Sequence, residues 1–333
     1  MYALMGAGLA GKNELPVMTA IHLYRVYALP CVLYGLECLR LYKYHIKSLE
    51  NFQRKILRSL LNIPERTAIP SIYILTGQVP MVFAVHQRAL GFLHSLIKEE
   101  GPTRDIIQHQ YVMKSRTSHS WVTYIKDILM TYQLPSLHNL LHSLPSKTKW
   151  KEMVRRAVHK RASDEITEEA NQLSTLEHLN PTWSYNKGHL SVTAGVSHQR
   201  QVTRANIKIR LLTGTYTLQT AQFRYGKATS DTCLMCKDGP ENTAHFILDC
   251  KYLQPCREGL FEQLADIVPY VYLNRNILLE DRDFMLQMTL DASHPKIQEM
   301  FNLTDDCKEE LEILTRDRIF LLHKQRALFM NNR

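Results

Sequence analysis

Apolar residues return at steps of three and four along most of this chain, the period of helices that bury one face. From Pro16 onward, Val17, Ala20, Ile21, Tyr24 and Ala28 share a face, and Pro30 marks a kink or a fresh start. Residues 32–41 then read as an apolar, buried helix. Over 45–61 the stripe is Ile46, Leu49, Phe52, Ile56, Leu57 and Leu60, with Lys47, Arg54, Lys55 and Arg58 on the other side. Pro64 closes that helix, and another over 82–99 carries Phe83, Leu90, Leu93 and Ile97. Residues 101–117 read as a polar joint, followed by short amphipathic helices over 121–132 and 136–144, punctuated by Pro135 and Pro145. A basic helix with Trp150 and Val154 on its apolar edge comes next. Residues 180–195, with Pro181, Trp183, Gly188 and Gly195, read as a linker before a helix that Gly214 ends. Further on, Leu260, Phe261, Leu264 and Ile267 make a stripe that Pro269 breaks, 284–290 is a short apolar piece, and 307–329 is the last helix.

This pattern predicts a mostly α protein: a multi-helix bundle, then a second helical domain with a small metal module. The segments expected are 1–100, 101–180, 181–258 and 259–333, the third containing a basic helix and the metal module.

That module is the stretch DTCLMCKDGPENTAHFILDCKYL, 231–253. Two residues separate Cys233 from Cys236, eight separate Cys236 from His245, and four separate His245 from Cys250. A Cys-x2-Cys turn lets two thiolates grip one face of a small soft ion. Gly239 and Pro240 can reverse the chain, and Asn242 or Thr243 can cap a short helix that returns His245 and Cys250. Three sulfurs and one nitrogen make a closed tetrahedral shell, the set expected of one structural zinc ion. Cys256 is near enough to stand in for Cys250, and the sequence leaves both open; a chance cluster of buried thiols is the plainer reading. A filled shell has no position for water, which argues against catalysis. A nucleobase-deaminase site needs His-x-Glu ahead of Pro-Cys-x-x-Cys, and here the order is reversed.

The 333 residues, 45% hydrophobic and 22% charged, suit a globular protein with more than one core. Seven cysteines, three of them in the metal pattern, do not form a secreted disulfide framework. Lys12 follows too soon for a signal peptide, and Arg25, Pro30 and Glu37 interrupt 24–39 short of a membrane span. The expectation is a protein of nucleus or cytoplasm, neither secreted nor membrane-bound. GAGLAG at 6–11 lacks the strand a nucleotide loop requires and reads as a turn. Asp305–Asp306 resembles a polymerase carboxylate pair, but no strand flanks it, and Asp306 with Glu309 has capping-box spacing.

The net charge of +9 favours an acidic partner such as RNA or DNA, and placement decides whether it serves one. Lys147, Lys149, Lys151, Arg155, Arg156, Lys160 and Arg161 crowd one helix with Glu152 as the acid among them, and an acidic run at 164–169 can pair with the last of them. Residues 191–230 carry no acid, and within them Arg200, Arg204 and Lys208 recur every four residues with Arg210 alongside. With Lys47, Arg54, Lys55 and Arg58, these are the expected phosphate contacts. A solvated core-helix face is the alternative for the earliest group. Tyr216, Phe223 and Tyr225 either stack on unpaired bases or pack against the metal module.

Several segments together resemble one family. LPCVLYGLE at 29–37, SLENFQRKILRSLLNIPERTA at 48–68, IYILTGQVP at 72–80, IKIRLLTGTY at 207–216 and CLMC…HFILDC at 233–250 are similar to the C-terminal part of LINE-type, non-LTR retrotransposon reverse transcriptases. The resemblance implies a thumb-like helical clamp over the first segments and the family's zinc-binding segment over the last. The aromatic-x-Asp-Asp turn of the family's palm is missing, as is a preceding endonuclease domain. The implied function is therefore a non-catalytic remnant or C-terminal segment that holds nucleic acid, with the rest of a retrotransposon polyprotein as a further partner. The alternative is a zinc-stabilised protein-interaction scaffold.

Overall fold

The computed structural model describes residues 16–98, 100–113, 119–195, 199–267 and 281–332, without the side chains of 199, 200, 261, 265 and 266. The expected turn at 1–13, the end of the joint at 101–117, and the side chains of Arg200 and Phe261 lie outside the described residues. Among the described residues the protein is 71% helical without strands.

The chain opens with α1 (Val17–Leu23), a wide turn at Tyr24–Ala28 and α2 (Leu29–Leu33). Pro30 sits in the first turn of α2, where its missing N–H costs nothing. The buried helix expected over 32–41 does not form. Tyr34 turns extended and Gly35 takes φ +77°, so the chain leaves the helix with Tyr34 83% exposed.

Next come α3 (Lys43–Leu61) and α4 (Ile69–Thr76). Asn62 ends α3 in the left-handed conformation, two residues ahead of Pro64. The buried stripe of α3 is Gln53, Ile56, Leu57, Leu60 and Leu61. Phe52, expected inside, is exposed, while the Gln53 amide donates to the Val79 carbonyl at 2.9 Å. Helix α4 is buried on nearly every side, apolar but for the hydroxyls of Ser71 and Thr76, which donate to the Ala68 and Ile72 carbonyls, and of Tyr73.

Then follow α5 (Met81–Ile97), α6 (Pro102–Met113), α7 (Trp121–Thr131), α8 (Leu137–His142) and α9 (Lys147–Asn171). Helix α6 occupies most of the expected joint. Ser120, Ser136 and Ser146 cap α7, α8 and α9, each hydroxyl accepting a backbone N–H three residues on. Helix α9 buries Trp150, Val154, Val158, Ala162, Ile166 and Ala170, and its Trp150 indole donates to the Leu90 carbonyl at 2.9 Å.

The expected linker at 180–195 is packed. The Trp183 side chain is buried, its indole donating to the Gln78 carbonyl at 3.2 Å. Asn186 and His189 donate backbone N–H groups to the carbonyls of Gly77 and Leu75. Gly77 has φ +63°, and a Cβ there would lie 2.3 Å from the Lys187 carbonyl oxygen. Gly77→Ala is therefore expected to destabilise by more than the roughly 1–2 kcal/mol of left-handed strain alone. Gly91→Ala, inside α5 with nothing within 4 Å, should instead be neutral or stabilising in urea melts.

The remainder comprises α10 (Leu190–Thr193), α11 (Gln199–Leu212), α12 (Gln219–Arg224), α13 (Gln254–Arg257), α14 (Leu260–Ile267), α15 (Arg282–Leu290), α16 (Pro295–Phe301) and α17 (Asp305–Asn331). Thr304 caps α17, its hydroxyl accepting from Cys307 N at 3.3 Å, in place of the expected Asp306–Glu309 box. One apolar core runs from Val17 to Leu322, a second joins α14 to α17 through Leu264, Met288 and Leu311, and a small third sits at Leu33, Met81 and Val85. No single described helix is long and apolar enough to cross a membrane; the bent pair α4–α5 that passes together turns by 60°.

Candidate metal centre and basic face

Cys233 N–H donates to the Gly239 carbonyl and Lys237 N–H to the Cys233 carbonyl, folding the Cys-x2-Cys segment into a tight turn. Lys237 and Gly239 take left-handed φ of 59° and 75°, which lets the chain double back within a few residues. The Asn242 side chain then accepts from His245 N–H at 2.8 Å, capping the wide turn His245–Asp249.

Four donor atoms converge here. The Sγ atoms of Cys233, Cys236 and Cys250 and a ring nitrogen of His245 all lie within 4.8 Å of one another. Cys233 Sγ is 3.9 Å from Cys250 Sγ, and Cys236 Sγ is 3.3 Å from His245 Nε2. Metal–sulfur bonds of about 2.3 Å and metal–nitrogen bonds of about 2.0–2.1 Å in a tetrahedron put neighbouring donors about 3.5–3.8 Å apart. The cluster is therefore dimensioned for one ion. Cys256 stands outside it, so Cys250 is the fourth donor.

Burial lowers the pKa of His245 and keeps its imidazole neutral, the form that ligates. The same burial pushes the Cys250 thiol up to about 12 and raises Cys233, so without an ion these sulfurs hold their protons. A divalent ion with three thiolates carries a net negative charge. Arg257 answers it, its buried guanidinium donating to the carbonyls of Leu248 and Cys250.

Glu241, fully buried, is not a free acid. It accepts from Arg326 Nε at 2.7 Å and Nη2 at 2.9 Å, and from Gln219 N–H at 2.7 Å. This fork fastens the metal loop to α17. Tyr216 stacks on Phe246 with ring centres 5.5 Å apart and is buried, so it packs against the module; Phe223 and Tyr225 are exposed.

The basic residues divide sharply. On α9, Lys147, Lys149, Lys151, Arg155, Arg156, Lys160 and Arg161 are all exposed. Arg156 pairs with Glu152 at 2.9 Å and Arg161 with Glu165 at 2.5 Å. The other five have no ion-pair partner among the described residues. Two grooves flank them, about 680 Å³ beside Lys151 and Arg155 and about 590 Å³ beside Lys149 and Lys160.

The α11 face is different. Lys208 is fully buried, its Nζ 2.6 Å from Glu312 Oε2 and 2.6 Å from Thr315 Oγ1. The expected phosphate contact at Lys208 is wrong, because α17 covers that face. Arg204 pairs with Asp317 at 2.6 Å and lies over the Phe320 ring, and Arg210 donates to the Asn62 carbonyl at 3.0 Å. On α3, Arg54 pairs with Glu50 and donates to Tyr73, and Arg58 donates to the Thr67 carbonyl. Lys47 and Lys55 remain exposed. Sequence reading missed the pairing of Glu241 with Arg326, 85 residues apart, and the return of Arg257 onto carbonyls seven and nine residues before it.

No family model, curated protein or solved structure matches this chain.

Proposed function

We propose that the chain is a non-catalytic helical module, stabilised by zinc, that holds RNA or DNA by its phosphates. The observation that carries this reading is the row of five cations on α9 without an ion-pair partner among the described residues. Cations at this density repel one another unless solvated or neutralised, and a polyanion does so while releasing counterions. The three-sulfur, one-nitrogen donor set favours zinc over harder ions, and four protein donors fill its shell, which suits scaffolding rather than chemistry. On this reading the α1–α5 bundle with α9 acts as a thumb-like clamp of the LINE type, and Lys47 and Lys55 extend it. The partners are nucleic acid and the remainder of such a polyprotein, and the compartment is nucleus or cytoplasm, where thiolates stay reduced.

The test is equilibrium binding to a labelled structured RNA and a single-stranded DNA. The intact protein should bind both. Lys149→Glu, Lys151→Glu, Arg155→Glu and Lys160→Glu together should abolish binding at equal helicity. Unchanged binding by that variant would reject the reading.

A further inference from the structure

The larger groove beside α9 is more than a charged cleft. Lys151 and Arg155 of α9, Arg25 of the Tyr24–Ala28 turn, and Arg88 of α5 stand around it, over a floor that includes Leu33 and Val154. The one acid lining it among the described residues, Glu152, pairs with Arg156, while Arg88 is balanced by Glu37 at 3.1 Å. Among the described residues, the hydrogen-bond partner of Arg25 is the His22 ring, at 3.1 Å.

Tyr185 also lines the groove and is 43% exposed. Its ring rests on His159, with centres 4.2 Å apart. His159 meets the buried Trp183 edge-on at 6.1 Å, and the Trp183 indole is anchored to the Gln78 carbonyl. One side of Tyr185 is thus propped by a chain of ring contacts anchored at Trp183, and burial beside Arg155 holds His159 neutral.

We propose that this groove takes single-stranded nucleic acid, with an unpaired base stacked on Tyr185 and the adjoining phosphates on Lys151, Arg155 and Arg25. This rests on the nucleic-acid reading above and narrows it. A supported aromatic beside a cationic rim is the arrangement that binds single strands, because phosphates meet charge while any base offers a π face. A blunt duplex satisfies the cations but keeps its bases stacked within itself, out of reach of Tyr185.

The experiment compares an oligodeoxythymidine of about 12 nucleotides, within single-strand site sizes, with an abasic strand of equal length and a blunt duplex. Tyr185→Ala should weaken binding of the base-bearing strand about 5- to 150-fold, Tyr185→Phe should bind it as the parent does, and neither should alter duplex or abasic binding. The parent protein should bind the abasic strand correspondingly less well than the base-bearing one, which tests the stack without any substitution. Equal binding of those two strands by the parent, or full single-strand affinity in Tyr185→Ala, overturns the inference. If Lys151→Glu/Arg155→Glu still loses all binding in that case, phosphate contact stands and only the base stack fails. If that variant binds every probe normally, the groove assignment falls, and the four-residue variant above decides the α9 reading separately.

Discussion

Removing the metal, by chelation or by Cys233→Ser, is expected to collapse residues 231–257 and loosen α17 with them. Regular secondary structure in this stretch is slight, one isolated bridge, Thr232 with Pro240, and short helical turns. Its buried sulfurs are stabilised as thiolates only by an ion, since burial otherwise favours the protonated thiols. Structural zinc contributes on the order of 10–16 kcal/mol of apparent binding energy in small finger peptides, and there it is folding energy. The damage should spread through Glu241, whose loop is fixed to α17 by Arg326. One zinc per chain by elemental analysis, and a lower melting temperature in chelator, are the expected results. Uptake should release protons and weaken as pH falls, because the thiols must ionise to bind. Equal melting curves with and without chelator would show that the four donors hold nothing.

The second large effect is expected from Glu312→Ala. Glu312 is buried at 1% exposure and serves two buried cations, Lys208 Nζ at 2.6 Å and Arg316 Nη2 at 3.1 Å. Arg316 also donates to the Ala194 and Ser191 carbonyls, tying α10 to α17. Without the carboxylate, two positive charges face each other away from water. Breaking such a pair from one side costs about 3–5 kcal/mol, and two stranded cations place this site at the upper end. Lys208→Met should be much milder, because Glu312 keeps Arg316 and the site loses one desolvated charge. Urea midpoints should rank Glu312→Ala far below Lys208→Met. The Lys208 variant should bind nucleic acid as the parent does. Weakened binding at unchanged stability would restore Lys208 to the contact surface.

The same residues show what a sequence discloses. The four-donor cluster is legible because a Cys-x2-Cys turn and a returning His and Cys are local, and local spacing fixes geometry. The α9 face is legible because its cations outnumber the nearby acids. The Arg204–Lys208 face looks similar, yet its partners Glu312 and Asp317 lie more than a hundred residues on, and periodicity carries no record of what covers a face. Residues 180–195 mislead for a related reason. Proline and glycine there signal an absence of helix, but Trp183 binds that irregular chain into the bundle through Gln78. Over 32–41 the apolar content suggests a buried helix, while Gly35 decides the backbone.

Whether a polyanion lies along α9 is probed most directly by the salt dependence of binding. The logarithm of the binding constant is expected to fall linearly with the logarithm of salt concentration. Replacing Lys147, Lys149, Lys151, Arg155 and Lys160 by Gln should reduce that slope by about three to five units, at roughly 0.7–0.9 for each phosphate left without its cation. A slope that is flat in the parent, or identical in parent and variant, would contradict the polyanion's place on that helix.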